Sequence, residues 1–142
     1  MKLLHAVLFS ALATTALATN IVIGYPPANK KIHAGQNLTV QVIQPGGIQG
    51  PIVVGLAVGI YTCGQEPCPP PSRSLGSPLY YGPYYPVQHR TKPFVFPYEN
   101  FTVVVPSYVT KGRAQLNVAL AGLFGADDIP SWEMVNQTLI VV

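Results

Sequence analysis

Charged side chains are scarce in this sequence: Asp, Glu, Lys and Arg together make up 9% of its 142 residues. Without the leader described below, seven basic side chains face five acidic ones, which gives a net charge of +2. The basic side chains form no stripe. Nucleic-acid binding depends on clustered Lys and Arg that neutralise phosphates. We therefore expect no nucleic-acid partner.

Long apolar runs are absent after residue 18. The first eighteen residues combine Lys2, an apolar stretch and the sequence Ala16-Leu17-Ala18, which together have the form of a signal peptide with its cleavage site. The apolar stretch is too short to span a bilayer. The sequence therefore predicts a signal peptide at 1–18, a secreted mature chain at 19–142 and no membrane association after cleavage. A buried N-terminal helix is the alternative, but no amphipathic pattern marks a core-facing side.

Cysteine and histidine are also few. Cys63 and Cys68 are the only cysteines, and in a secreted chain such a pair is most simply a disulfide. So short a loop contributes only about 2 kcal/mol to the free energy of unfolding. A zinc site would need two further ligands, and His33 and His89 are isolated. We therefore expect neither a metal nor another cofactor.

Residues with catalytic spacing are lacking as well. No serine lies in a GxSxG motif, and a catalytic base would have to be one of the two isolated histidines. Three of the five acidic residues, Asp127, Asp128 and Glu133, cluster near the C-terminus. They suit a weak cation site or, as we prefer, a solvated loop between the last two strands. The sequence predicts that the protein is not an enzyme.

Turn-forming residues are abundant, with 15 prolines and 13 glycines between short alternating apolar segments. The strongest segments are 100–105 and 113–123, on either side of a polar corner at Gly112. A helix is the alternative for 113–123. Further strands are predicted at 20–24, 37–43, 51–61, 78–82, 93–96 and 136–142. About seven short strands separated by turns are typical of an immunoglobulin-like antiparallel β-sandwich. We expect this all-β fold, in one domain over 19–142.

The segment 51–61 is apolar on both faces, which predicts a central strand. We assign five large side chains to one face: Ile52, Val54, Leu56, Val58 and Ile60. The other face carries Val53, Gly55, Ala57, Gly59 and Tyr61. The small residues on this second face predict that another segment packs closely over it.

Residues 62–98 match no periodic pattern and are predicted to form an irregular region rich in proline and tyrosine. Four tyrosines lie between Cys68 and Arg90: Tyr80, Tyr81, Tyr84 and Tyr85. Tyrosine supplies a large contact area at a small entropic cost, so these side chains are a candidate partner surface. The alternative is that they only cover an edge of the sandwich.

Three sequons have the form Asn-x-Thr, at Asn37, Asn100 and Asn136. Each stands at the start of a predicted strand, which would place it at an exposed end of the sandwich. In a secreted protein these asparagines are candidates for N-glycosylation. Unmodified asparagines that only begin strands are the alternative.

Two segments, SLGSPLYYGP at 74–83 and the sequence from Glu99 to Val142, contain an ordered series of turn and strand motifs. This series resembles the necrosis-inducing secreted proteins of filamentous fungi and covers about half of the mature chain. The matching positions are Leu75, Gly76, Tyr81, Gly82, Pro83, Pro106, Lys111, Gly112, Leu116, Leu120, Phe124, Gly125, Ala126, Asn136 and Thr138. The Cys63–Cys68 hairpin, the triple proline and the paired tyrosines have no match in the family pattern.

The resemblance implies a fungal effector that dampens plant immune signalling by binding host receptor-associated kinases and that can induce host cell death. It also implies that such a protein acts outside the fungal cell or, after uptake, in the host cytoplasm. We expect a monomer. A hypothesis of a different class is a non-catalytic protein that binds cell-wall polysaccharide through its tyrosines.

Overall fold

The computed structural model describes residues 21–45, 51–89 and 96–142. Within them the secondary structure consists of eight β-strands, and no helix there is long and apolar enough to cross a membrane. The strands are β1 (Val22–Tyr25), β2 (Lys30–Ile32), β3 (Asn37–Ile43), β4 (Ile52–Gly64), β5 (Ser77–Gly82), β6 (Tyr98–Val104), β7 (Gly112–Phe124) and β8 (Ile129–Val141). The predicted signal peptide at 1–18 and most of the strand predicted at 93–96 lie outside the described residues.

The strands form two sheets, with the orders β1-β3-β6 and β2-β8-β7-β4-β5. This arrangement confirms the predicted immunoglobulin-like β-sandwich. The three-stranded sheet packs against the five-stranded sheet, in which β8, β7 and β4 are the inner strands. One detail was predicted wrongly. The chain before β3 splits between the sheets, and its second part, β2, pairs with β8 in the parallel direction. The sandwich is therefore not purely antiparallel.

The core lies between the sheets and is built from the alternate residues that face inward. Segment 113–123 is a strand, as preferred over a helix, and its inward positions pack against those of β4 and β3. The fully buried side chains include Val40, Val42, Val58, Ile60, Leu116, Val118, Leu120 and Leu139. Burial of aliphatic side chains contributes about 1.5–3 kcal/mol each, so this two-residue period is what holds the layers together.

The hairpin β7-β8 is longer than the sequence predicted. β8 begins at Ile129 rather than at residue 136, and the turn is confined to residues 125–128, where Gly125 and Asp128 adopt positive φ angles. The predicted solvated acidic loop is wrong in extent, because Glu133 lies within the strand. Pro130 is tolerated there because β2 covers only residues 139–141 of β8, which leaves the first part as an edge that can lose a ladder bond.

The face assignment of β4 is wrong before Leu56. The register with β7 shifts between Val53 and Gly55, so Val54 is an extra residue in a β-bulge. The bulge reverses the alternation: Val53 packs against the core, whereas Ile52 and Val54 are exposed. The predicted irregular region is also too long, because β4 extends to Gly64 and β5 is an edge strand that tolerates Pro78.

Gly112 begins β7 with a φ of 118°. A Cβ at this position would meet no atom within 4 Å, so the cost of a side chain is backbone strain and not a clash. We expect Gly112→Val to lower the free energy of unfolding by about 1 kcal/mol or more. Thermal unfolding measures this, with Lys111→Val at the neighbouring position as the control. An unchanged melting temperature for Gly112→Val would contradict the strain.

Candidate functional site

The outward-facing residues of β7 change character halfway along the strand. Arg113, Gln115 and Asn117 occupy its first half, and Ala119 and Ala121 occupy its second half. Gln115 and Asn117 are nevertheless buried, because the segment 66–75 crosses over them on the outside of the sheet. We call this segment the covering segment. The alternation of 113–123 puts Gln115 and Asn117 on the face away from the core, and no pattern in the sequence indicates what buries them.

Side-chain donors on β7 hold the covering segment by its carbonyl groups. The Arg113 guanidinium donates to the Glu66 carbonyl at 2.6 Å, and the Gln115 amide donates to the Pro69 carbonyl at 3.2 Å. The Asn117 amide donates to the carbonyls of Ser74 and Leu75 at 3.3 and 3.2 Å.

Side-chain donors hold the covering segment because its prolines prevent it from pairing with the sheet as a strand. Residues 67, 69, 70 and 71 are prolines, which have no N–H and cannot pair with a neighbouring strand. Their carbonyls still need partners when buried. The Gln115 amide also donates to the Asn117 side-chain oxygen at 2.8 Å, so the two buried side chains form one network.

The disulfide holds one end of the covering segment, and a close backbone contact holds the other end. Cys63 and Cys68 are bonded, as predicted, with their Cα atoms 5.0 Å apart. At the other end, a Cβ on Gly59 would lie 2.4 Å from the Leu75 carbonyl oxygen. The prediction of close packing over the small residues of β4 is therefore confirmed at Gly59.

An apolar groove of about 550 Å³ opens where the covering segment ends. Its floor is formed by small residues of the two central strands, Gly55, Ala57, Ala119 and Ala121. Its sides are Leu75 and Pro83 on one flank and Trp132 and Met134 on the other, with Val54 at one end. Within the described ranges, no charged residue lines it. We call this feature the outer groove.

Large exposed side chains surround the outer groove. Trp132, the single tryptophan, is 73% exposed and also borders a second hollow of about 210 Å³ beside Pro130 and Leu123. Tyr81 is 81% exposed and lies in one cross-strand row with Ala57, Ala119 and Met134. Three strand spacings separate Tyr81 from Met134, about 14 Å. The groove is thus a shallow apolar trough between aromatic side chains.

The four candidate tyrosines do not form one surface. Tyr84 is only 2% exposed, and its hydroxyl donates to the Val42 carbonyl at 3.2 Å, so it belongs to the core. Tyr80 faces inward against Phe101, with ring centroids 4.5 Å apart, and its hydroxyl donates to the Pro83 carbonyl. Only Tyr81 and Tyr85 are exposed. The reason is strand alternation in β5, which turns Tyr80 and Tyr81 to opposite faces.

The three sequon asparagines are all exposed, but only Asn37 begins a strand. Asn100 is the third residue of β6, and Asn136 lies in the interior of β8, because both strands start earlier than predicted. Among the described residues, no group of three or more His, Cys, Asp or Glu side chains is placed to hold a metal ion. His89 stacks on Tyr98 and is not part of such a group.

Asn117 is completely buried, so its two bonds to the covering segment are sensitive to substitution. Asn117→Leu keeps the branched shape of the side chain, but it leaves the Ser74 and Leu75 carbonyls without their donor and removes one of the two acceptors of the Gln115 amide. We expect a loss of about 1–3 kcal/mol in the free energy of unfolding. Asn136→Leu is the matched control, since Asn136 lies directly opposite in register but is exposed. Denaturant unfolding of the two unglycosylated variants measures the difference. Equal losses of unfolding free energy in Asn117→Leu and Asn136→Leu would contradict the role of the buried hydrogen bonds.

Burial, followed by the nearby Glu99 carboxylate, raises the pKa of Tyr84 far above its ordinary value of 10.0. Above that value the unfolded chain releases the Tyr84 proton while the folded chain keeps it. The free energy of unfolding therefore falls as pH rises, by up to about 1.4 kcal/mol per pH unit for this group. We expect Tyr84→Phe to show a shallower fall between about pH 10 and 12 in urea unfolding. Parallel curves for the two proteins would contradict this.

Comparison with known proteins identifies the family of the chain. No curated protein matches the chain. The family model described as the Nis1 family matches residues 15–140, which is most of the chain and includes the covering segment, the outer groove and the disulfide. Together with the disulfide, this match indicates an extracellular protein. The chain belongs to the Nis1 family of fungal effectors.

Proposed function

We propose that the protein is a secreted effector that binds host receptor-associated kinases, suppresses plant immune signalling and can induce host cell death. Membership of an effector family supports the general role. The predicted signal peptide and the Cys63–Cys68 disulfide support passage through an oxidising secretory route. The kinase partner and the two host responses come from the resemblance found in the sequence.

The outer groove is the observation that carries a binding role. Contiguous exposed apolar surface on a soluble protein marks sites of contact with a partner. Binding energy at such sites concentrates in aromatic side chains seated beside pockets, tryptophan above all. Trp132 is the most exposed large side chain in the lining of this groove, and the lining contributed by the described residues carries no charge that would need a counterion. We assign Trp132 as the anchor of the kinase contact.

A polysaccharide-binding role is the second candidate. Tyr81 and Trp132 are both exposed on the outer face of the same sheet, and their rings are available to stack on sugars. Binding to glucan or chitin would then need both aromatic residues, whereas a protein partner would also use the apolar floor between them. The two candidates therefore share residues and are separated by their ligands.

The test measures binding of the mature chain, residues 19–142, to purified kinase domains of plant receptor-associated kinases by biolayer interferometry. We expect Trp132→Ala to weaken binding at least tenfold, because it removes the anchor. Tyr108→Ala is the matched control: Tyr108 is 71% exposed, but it precedes β7 at the end of the sandwich remote from the groove. Loss of affinity in both variants, or in neither, would contradict the groove as the contact surface.

Two further measurements separate the candidate functions. Sedimentation with insoluble glucan and chitin should leave the protein in the supernatant, and retention by either without kinase binding would favour the polysaccharide role. In leaves, the wild-type protein should lower the immune oxidative burst and Trp132→Ala should not. Cell death is scored in the same leaves.

A further inference from the structure

We propose that Asn37, Asn100 and Asn136 carry N-linked glycans, and that the first two cover the outside of the three-stranded sheet while the third borders the outer groove. The proposal depends on passage through the secretory pathway and not on the kinase partner. In the reaction, the asparagine amide nitrogen forms a bond to the first sugar of an oligosaccharide carried on a lipid diphosphate. The sugar–phosphate bond breaks, the lipid diphosphate leaves, and the amide loses one proton.

Asn37 and Asn100 share one face of the sandwich. They lie on the neighbouring strands β3 and β6, where Asn37 is paired with Val104 and Asn100 with Gln41. Both side chains alternate with core residues, so they point away from the core, and both are exposed. Four residues of strand separate the two positions, about 13 Å, so two glycans have room side by side.

The hydrogen bond at Asn100 is compatible with a glycan. The Gln41 amide donates to the Asn100 side-chain oxygen at 3.1 Å. That bond occupies the oxygen and directs the amide nitrogen, the atom that would carry the sugar, away from Gln41. Thr39 and Thr102, the third residues of the two sequons, are exposed on the same face. Nothing in the described structure of these two sequons has to move to make room.

A glycan on this face also covers an exposed apolar side chain and an edge strand, both of which favour association with other chains. Val104 is exposed and lies directly across from Asn37, so the first sugars at Asn37 would shield it. β6 is an edge of its sheet, and among the described residues only the bridge between Val87 and Tyr98 covers it, so the rest of the strand can pair with another chain. A bulky glycan at Asn100 blocks that approach. Two glycans therefore cover the outside of the three-stranded sheet, whereas the outside of the five-stranded sheet carries the apolar groove.

Asn136 occupies a different place. It is exposed on the outer face of β8, two residues beyond Met134 on the groove lining, and it is paired with Asn117 beneath the covering segment. A glycan here stands at the end of the groove on the flank formed by Trp132 and Met134. It limits the direction from which a partner reaches Trp132 without filling the floor.

The experiment uses the full chain secreted from a glycosylating yeast. The intact mass is measured before and after removal of N-glycans, and peptide mapping in ¹⁸O-water marks each formerly occupied asparagine. We expect occupancy at all three positions and a deglycosylated mass that begins at Thr19. Mapping of the wild-type protein needs no variant to fold. A secreted protein whose mass does not change on treatment, or one with neither Asn37 nor Asn100 occupied, overturns the proposal.

Matched variants test the assignment of faces. Thr39→Val and Thr102→Val each remove a sequon, and Thr39→Ser and Thr102→Ser keep it. We expect each valine variant to lose one glycan and each serine variant to keep all three. Trp132, as the single tryptophan, reports on the groove. Its quenching by acrylamide should be the same in the wild type and in the double valine variant, because those glycans lie on the other sheet. A change in quenching would contradict that placement.

Discussion

Side-chain donors on β7 take the place of a neighbouring strand over the outer half of this molecule. Four of the ten residues of the covering segment are prolines, which have no N–H, so the segment cannot pair with the sheet as another strand. Arg113, Gln115 and Asn117 supply the donors from alternate positions of β7. Because a strand places alternate residues on one face, a single strand can serve three points along the segment. The covering segment ends where the polar outward-facing residues of β7 end.

The outer groove lies where the polar outward-facing residues of β7 end. Beyond Asn117 the outward positions of β7 are Ala119 and Ala121, which offer no donors and leave the sheet uncovered. The adjacent positions on β4 are Gly55 and Ala57, so the floor stays low while Trp132 and Met134 stand above it on β8. β7 therefore holds the covering segment over one half of the outer face and leaves the other half exposed. This arrangement gives an effector of small size both a fixed scaffold and an apolar surface.

The sequence predicted the sandwich because its strongest segments, which form β6 and β7, alternate between apolar and other residues. It did not predict β2, whose three residues are too few to show a period, or the face reversal at Val54, since a bulge is set by pairing with β7. The disulfide was predictable from two cysteines in a secreted chain. The groove was not, because Ala119, Trp132 and Gly55 lie on three strands and come together only through register. Tyr84 was misassigned because its burial depends on the distant Val42.

The parallel pairing of β2 with β8 constrains how the chain reaches its native state. Residues 30–32 find their partners only at residues 139–141, 109 residues further along the chain (139 minus 30). Closing so long a loop costs conformational entropy unless the strands between have already paired. The hairpin β7-β8 joins neighbouring segments and can form first, and it then presents the edge to which β2 adds. This outermost strand of the five-stranded sheet is therefore among the last to be placed in folding, although it is among the first in the sequence.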